Sequence, residues 1–471
     1  MPSGLRQPLC RRQTGSRSSG LALLLAAGSG GLAAVAFARG RPFDGIPRGI
    51  RRHCTQAQLG QFPETYVPPS DGCSAEGLYF CEDSGSLGWT LSAASGHLRS
   101  WSSWYRAPWW LRQGDAMTVA ASRVRAPVQL GYERHLVPSA DGGLLALDVA
   151  VGPETQEHNQ DTAALPRPVK LVLLLPGLGG GSERGNVRAM SAALAQQGFR
   201  SATLNMRSMG GSPVQTPRFF SAMRGSTDDV RTAIRYLRQE LLGGGRQGEE
   251  AQIVVVGWSN GGTIALNFLA EQSTSEGLGH AGRWSAADGG AGLGAPCDLL
   301  RGTAQFEKSW PMQALYNRVL TDTLVSQVAP HLHLFRNGPV ALWPGAEERA
   351  EAGRIAVDAD EILAVKKLRA FDDSLTRRVF GYSSVEDYYH DASPLRRLDK
   401  IQVPTLLVSA ADDPVVSGWI PAEEVRSNPW LVLVNTAHGG HLGWLDEDDF
   451  SQSIWLQRVV IDFVTIVTKS Q

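Results

Sequence analysis

The sequence predicts an α/β fold, in which a mostly parallel sheet of about eight strands is covered by helices on both faces. From residue 130 onward, short apolar segments rich in β-branched residues alternate with longer segments of helical periodicity. Continuous apolar runs such as residues 169–175 are typical of strands buried on both faces of a parallel sheet. Residues 297–400 interrupt the alternation with helical segments, so we expect a helical lid inserted above the sheet.

We expect the sequence of 471 residues to divide into three regions. Residues 1–42 are a basic and apolar targeting or membrane-anchor segment, residues 43–128 form an N-terminal extension, and residues 129–471 form the α/β domain with its insertion. Hydrophobic residues make up 42% of the chain, which is enough for a sizeable core. The formal net charge of −1 gives no indication of nucleic-acid binding. Nothing in the sequence indicates an oligomeric state.

The N-terminal segment combines many arginines with an apolar run at residues 21–38, which ends in Ala36–Phe37–Ala38. The run is just long enough to cross a bilayer, and we expect the protein to be membrane-associated through it. Two alternatives stay open. A signal peptide cleaved near Ala38 would give a secreted protein, and an organelle transit peptide would have the same arginine-rich composition.

Five cysteines are present, and none forms a C-x-x-C pair. Cys54, Cys73 and Cys81 lie close together before the predicted sheet, and either a disulfide or free thiols fit this spacing. His53 beside Cys54 lacks the spacing of a zinc site. We therefore expect no metal and no cofactor.

The predicted elements begin with two strands at residues 130–137 and 143–151, joined by a tight turn. The buried strand at 169–175 ends in the glycine-rich loop at 176–182. The elements that follow are a helix at 186–197, a strand at 200–205, a glycine-rich loop at 205–212 and an amphipathic helix at 227–242. Both loops follow the carboxyl ends of strands, which is where the active sites of such sheets lie.

The most informative stretch is Gly257–Trp258–Ser259–Asn260–Gly261, which follows an apolar strand at 253–256 and precedes a helix at 263–270. A serine on so tight a strand-to-helix turn has its Oγ exposed above the sheet edge. The two glycines let the backbone turn sharply and let the helix approach the strand. This arrangement is the nucleophile elbow of α/β-hydrolases.

An acid and a base follow two later strands. Asp412–Asp413–Pro414 comes after the strand at 403–410, and His438–Gly439–Gly440–His441 comes after the strand at 430–434. The chain order of serine, acid and histidine is that of the α/β-hydrolases. We choose Asp413 because it precedes the rigid Pro414, and His441 because two glycines give its loop freedom to reach Ser259.

These residue types suit acyl transfer. Ser259 is the candidate nucleophile, His441 takes and returns its proton, and Asp413 orients and stabilises the imidazole. The backbone N–H groups of Asn260 and Leu178 are the candidate oxyanion hole.

Between the elbow and the insertion, residues 281–295 predict a weak strand because they are rich in glycine and alanine. Residues 451–468 predict a final helix with one apolar face.

The sequence resembles the YheT-like family of α/β-hydrolases, also called the AB hydrolase 4 family, over about residues 95–465. The matching motifs are Asp141–Gly142–Gly143, Pro176–Gly177–Leu178–Gly179–Gly180, Asn205–Met206–Arg207, Gly257–Trp258–Ser259–Asn260–Gly261–Gly262, Tyr316–Asn317, Phe371–Asp372, Tyr388–Tyr389, Asp412–Asp413–Pro414 and His438–Gly439–Gly440–His441–Leu442–Gly443. Gly96–His97–Leu98 resembles a degraded N-terminal motif of the family. The resemblance implies a serine esterase or lipase with Ser259, Asp413 and His441 as its triad, and it implies frequent membrane anchoring.

We expect a serine carboxylester hydrolase that cleaves medium-chain fatty acyl or glycerolipid esters through an acyl-serine intermediate. Two alternatives stay open. An acyltransferase or alcohol-ester synthase would use the same triad, and a catalytically silent scaffold would only bind lipid.

Overall fold

The computed structural model describes residues 76–81, 101, 105–125, 128–151, 168–274, 282–307, 316–336, 340–341, 354–416, 418–448 and 450–469. The predicted targeting segment at residues 1–42, the thiols of Cys54 and Cys73, and the Gly96–His97–Leu98 motif lie outside these ranges. Within them, no helix combines the length and the apolarity that a bilayer crossing requires.

Eleven strands are present in the described residues, nine of which form one sheet. The strands are β1 (Gly77–Phe80), β2 (Gly131–Pro138), β3 (Leu144–Val151), β4 (Lys170–Leu175), β5 (Arg200–Leu204), β6 (Gln252–Trp258), β7 (Gly289–Leu293), β8 (Val340–Ala341), β9 (Arg354–Ile355), β10 (Thr405–Ala410) and β11 (Leu431–Thr436). The order in the large sheet is β1-β11-β10-β7-β6-β4-β5-β3-β2. The six strands from β11 to β5 are mutually parallel, and β1, β2 and β3 pair antiparallel. The predicted α/β architecture is confirmed.

The ninth strand is β1, which pairs with β11 and comes from the N-terminal extension. Its four residues, Gly77–Phe80, are too few to show a strand periodicity, so the sequence predicted about eight strands.

Thirteen α-helices lie within the described ranges. They are α1 (Gly114–Val124), α2 (Gly185–Gln196), α3 (Ser226–Tyr236), α4 (Gly245–Glu250), α5 (Asn260–Gln272), α6 (Leu299–Glu307), α7 (Arg318–Val328), α8 (Ala359–Ala364), α9 (Leu368–Phe371), α10 (Arg377–Val379), α11 (Val385–Ala392), α12 (Ala422–Ser427) and α13 (Ile454–Lys469). Shorter 3₁₀ and π segments extend or connect several of them. Helix α3 continues as the π-helical turn Leu237–Leu241, which completes the predicted helix at 227–242.

Side chains alternate between the two faces of the sheet and form two separate cores. On one face, Leu173 of β4 and Val255 of β6 belong to the core that includes α3, α5 and the insertion. On the other face, Leu174 of β4 and Val256 of β6 belong to the core that includes α2 and α13. The continuous apolar character of the central strands follows from this burial on both faces.

The glycine-rich strand β7 lies within the range where the sequence predicts a weak strand. A Cβ on Gly290 would lie 2.6 Å from Leu269 Cδ1, and a Cβ on Gly292 would lie 3.1 Å from Leu266 Cδ1. Helix α5 therefore packs too closely on β7 for ordinary strand residues. The low strand propensity reflects this helix–sheet distance.

The insertion differs from the prediction in one respect. We expected helices without strands between residues 297 and 400, but β8 and β9 form a two-stranded antiparallel ribbon there. Each strand has only two residues, which is too short for a recognisable period.

Candidate active site

Ser259 lies at the turn between β6 and α5 in a strained backbone conformation. Its φ is +51° and its ψ is −122°, in a region that side-chain-bearing residues rarely adopt. A Cβ on Gly257 would overlap the carbonyl of Gly261, and a Cβ on Gly261 would overlap the carbonyl of Leu175. The two glycines of the motif are thus required by close packing, and they hold Ser259 at the carboxyl edge of the sheet.

The structure brings Ser259, His441 and Asp413 into one hydrogen-bonded series. The Nε2 atom of His441 lies 2.9 Å from Ser259 Oγ, and its Nδ1 lies 2.9 Å from Asp413 Oδ2. Asp413 is only 3% exposed. Its other oxygen, Oδ1, accepts hydrogen bonds from the N–H groups of Val415 at 2.7 Å and Val416 at 3.0 Å. These two bonds fix the carboxylate so that Oδ2 faces the imidazole.

The alternative acid and base lie beside this series and form a separate pair. Asp412 Oδ1 accepts a hydrogen bond from the N–H of Gly440 at 2.8 Å. His438 Nδ1 lies 3.7 Å from Asp412 Oδ2. Burial raises the pKa of the Asp412 carboxyl. The side chain of Asp412 therefore supports the loop that carries His441, while that of Asp413 contacts the histidine ring.

The loop after β4 lies against Ser259. A Cβ on Gly177 would lie 3.4 Å from Ser259 Cβ, so the backbone that carries Leu178 passes beside the serine. Asn260 is the first residue of α5, where unpaired N–H groups of a helix point outward and the helix dipole favours negative charge. Both backbones that we expect to supply the oxyanion hole thus flank Ser259.

Sequence reasoning missed a polar network beneath this loop. Asn205 Oδ1 accepts a hydrogen bond from the N–H of Ser182 at 2.9 Å, and its Nδ2 donates to Asp148 Oδ2 at 2.8 Å. Arg134 donates two hydrogen bonds to the same carboxylate, at 2.6 and 2.7 Å. Burial raises the pKa of Asp148, but hydrogen bonds from Arg134, Ser182 and Asn205 outweigh it and lower that pKa. The signal in the sequence that could have indicated this network is Asp148, a charged residue inside the apolar strand β3.

The insertion covers the glycine-rich loop after β4, which carries Leu178. A Cβ on Gly179 would lie 2.6 Å from Thr323 Cγ2 of α7, so this helix packs directly on the loop. Within the described part of the chain, His, Cys, Asp and Glu side chains form no group of three or more placed to bind a metal ion.

The fold and the relatives named below define the class of the protein: it is a hydrolase with the α/β-hydrolase fold. A family model described as "alpha/beta hydrolase fold" matches residues 170–276, which include the elbow.

Among individual proteins, the chain is similar to phospholipase ABHD3 of Bos taurus, with 29% identity over 358 residues that cover 75% of this chain and 76% of the relative. It is 27% identical over 347 residues to monoacylglycerol lipase of Saccharomyces cerevisiae, covering 73% of this chain and 69% of the relative. It is 29% identical over 299 residues to medium-chain fatty acid ethyl ester synthase/esterase 2 of the same yeast, covering 63% of this chain and 62% of the relative.

Proposed function

We propose that the protein is a serine carboxylester hydrolase that cleaves acyl esters of lipids through an acyl-Ser259 intermediate. The observation that carries this proposal is the continuous hydrogen-bonded series from Ser259 through His441 to the buried carboxylate of Asp413. The names of the three relatives support a lipid ester as the substrate, since they describe a phospholipase, a monoacylglycerol lipase and an ester synthase/esterase.

In the first step, Ser259 Oγ attacks the ester carbonyl carbon while His441 Nε2 takes the hydroxyl proton. Asp413 stabilises the imidazolium that forms. The N–H groups of Leu178 and Asn260 stabilise the oxyanion of the tetrahedral intermediate. The bond from the carbonyl carbon to the alcohol oxygen then breaks, His441 returns its proton to the leaving alcohol, and the acyl group stays on Ser259.

In the second step, water attacks the acyl-enzyme and His441 again takes a proton. The bond from the carbonyl carbon to Ser259 Oγ then breaks, His441 returns its proton to Oγ, and the fatty acid is released. The insertion that packs over the loop of Leu178 acts as a lid, and it limits the access of water and shapes the acyl site. Residues 21–38 bring the enzyme to the membrane that holds its substrate.

The proposal is tested with a fluorophosphonate probe and a panel of p-nitrophenyl and glyceryl esters of graded chain length. The wild type should be labelled and should hydrolyse medium-chain esters. Ser259→Ala should lose labelling, and its kcat should fall about 10⁴-fold or more. A folded wild type that neither reacts with the probe nor cleaves any ester would overturn the proposal and would favour a lipid-binding scaffold.

The third relative favours a second candidate, in which an alcohol takes the place of water in the second step. The acyl-Ser259 intermediate would then form a new ester. Product analysis in the presence of ethanol or glycerol separates the two activities. Ester products that exceed free fatty acid at low alcohol concentration would indicate a synthase.

A further inference from the structure

The loop that carries His441 has an unfavourable backbone conformation. Leu442 has a φ of +62° and Trp444 a φ of +43°, and Gly440 just before them has a φ of +54°. Residues with side chains keep such angles only where the surrounding structure holds them. The position of the His441 ring therefore depends on what contacts this loop.

Helix α1 contacts this loop directly. In the chain, α1 precedes β2. The hydroxyl Oγ1 of Thr118 accepts a hydrogen bond from the backbone N–H of His441 at 2.7 Å. The same hydroxyl donates to the carbonyl of Gly114, one helical turn earlier, at 2.6 Å. The direction of the hydroxyl is thus fixed, and its lone pair faces the histidine backbone.

Arg125, the residue directly after α1, contacts the other side of the loop. Its guanidinium donates hydrogen bonds to the carbonyl of Leu442 and, at 3.2 Å, to that of Gly443. It also donates to Ser453 Oγ at 3.1 Å, and Ser453 in turn donates to the Gly443 carbonyl at 2.6 Å. Burial lowers the pKa of Arg125 to about 10, so the guanidinium remains charged at neutral pH.

The start of α1 packs on the loop backbone to backbone. A Cβ on Gly440 of this loop would lie 2.5 Å from the Gly114 carbonyl. A Cβ on Gly114 would also overlap the carbonyl of Asp412, on the neighbouring loop after β10. No side chain separates the two segments. Helix α1 is therefore held at a fixed distance from the loop that carries the histidine.

We propose that Thr118 and Arg125 are positioning residues for His441, so that a helix outside the strand–helix repeat completes the active site. The inference rests on the proposed role of His441 as the base for Ser259. Neither residue contacts the reacting atoms. Each holds the backbone on one side of the histidine, which keeps Nε2 within hydrogen-bond distance of Ser259 Oγ, and small displacements from such geometry cost large factors in rate.

The test compares Thr118→Val with Thr118→Ser. Valine has nearly the shape of threonine but no hydroxyl, and we expect kcat to fall about tenfold to a hundredfold with KM within about twofold. Serine retains the hydroxyl and should restore at least half of the wild-type kcat. The matched control is Ser122→Ala on the same helix, because the exposed Ser122 hydroxyl donates a hydrogen bond to the helix carbonyl of Val119. This control should have wild-type kcat and KM.

A second pair of variants, at Arg125, keeps the inference testable if Thr118→Val does not fold. Arg125→Lys retains a charged donor and should lose less kcat than Arg125→Met, whose side chain donates no hydrogen bond. Thermal unfolding of each variant shows whether the measured protein is folded.

The inference would be overturned by a folded Thr118→Val enzyme with wild-type kcat, or by a serine variant as impaired as the valine variant. A crystal structure of Thr118→Val gives a readout independent of activity, since the His441 ring should move away from Ser259 Oγ. An unchanged ring position would also overturn the inference. A wild type inactive on every ester contradicts the proposed function instead, and the crystal structure still decides the role of Thr118.

Discussion

Asp412 and Asp413 have different hydrogen-bond partners although they are consecutive in the chain. Asp413 accepts hydrogen bonds from two backbone N–H groups through Oδ1 and contacts the His441 ring through Oδ2. Asp412 accepts a hydrogen bond from the N–H of Gly440. At the scale of single residues, one acid contacts the histidine ring and the other supports the loop that carries it, which fits the orienting role proposed for Asp413.

Replacing each acid by asparagine distinguishes these roles. Asp413→Asn should lower kcat about 10⁴-fold, because an amide favours the wrong imidazole tautomer and cannot stabilise the imidazolium. Asp412→Asn keeps an oxygen that accepts the Gly440 N–H, and it should lower kcat less than about tenfold. Steady-state kinetics on one medium-chain ester, with probe labelling of both variants, measures the difference. The reverse ranking would assign the orienting role to Asp412.

At the scale of secondary structure elements, the loop after β4 depends on contacts with a neighbouring strand and with the residue that follows another. Asn205, just after β5, accepts a hydrogen bond from the N–H of Ser182 and donates to Asp148 on β3. Asp148 also accepts a hydrogen bond from Ser182 Oγ at 2.5 Å. The loop after β4 is therefore tied to two strands of the sheet, which restricts the backbone around Leu178.

We expect Asn205→Ala to lower kcat about tenfold, because it removes the acceptor for Ser182 and loosens the loop that carries Leu178. The free energy of unfolding should fall by about 1–3 kcal/mol, since polar groups of Ser182 and Asp148 lose a buried partner. Kinetics and urea unfolding measure the two effects.

The matched control for this prediction is Asn428→Ala. Asn428 is also buried, and its amide donates to the carbonyls of Leu398 and Ile401, away from the loop of Leu178. The control should lose comparable stability but keep wild-type kcat. Equal losses of kcat in the two variants would show that Asn205 acts only through general stability.

At the scale of the whole molecule, buried polar contacts fasten the insertion to the hydrolase core. Asn267 of α5 donates hydrogen bonds at 2.8 Å to the carbonyls of Ala222 and Ala392. Within the insertion, Asp372 accepts hydrogen bonds from Tyr389 and Thr376, each at 2.7 Å. Helix α5, which directly follows Ser259, is thus joined to α11 of the insertion through the amide of Asn267.

The buried carboxyl of Asp372 should make the free energy of unfolding depend on pH. Burial raises its pKa from 3.8 to about 6, against the opposing hydrogen bonds from Tyr389 and Thr376. The folded state therefore binds the proton more tightly than the unfolded state. This contribution to stability is fully present below about pH 4 and is lost as the pH rises through about 6, with an amplitude of about 3 kcal/mol at most.

Asp372→Asn should remove this component, so the difference in unfolding free energy between variant and wild type should change between pH 4 and 7. Urea unfolding at several pH values measures it. Asp373→Asn is the control, because the neighbouring Asp373 side chain is 44% exposed and paired with Arg377. A difference that stays constant with pH for Asp372→Asn would contradict the prediction.

Ser259, Asp413 and His441 can be predicted from the sequence as residues of one site, because each follows a recognisable apolar strand. Parallel strands of one sheet bring their carboxyl ends to the same edge, so local patterns are sufficient to predict the hydrolase fold and its candidate residues. The elbow glycines are visible for the same reason, since they satisfy a local backbone requirement.

Contacts between distant segments are decided only by the tertiary structure. Thr118 and His441 are separated by 323 positions, and nothing in either local pattern indicates that they meet. The same holds for β1, whose four residues become a strand because the edge of β11 is available for pairing. Sequence periodicity reports which face of an element is buried, whereas packing of the whole chain decides which partner covers that face and holds the histidine in place.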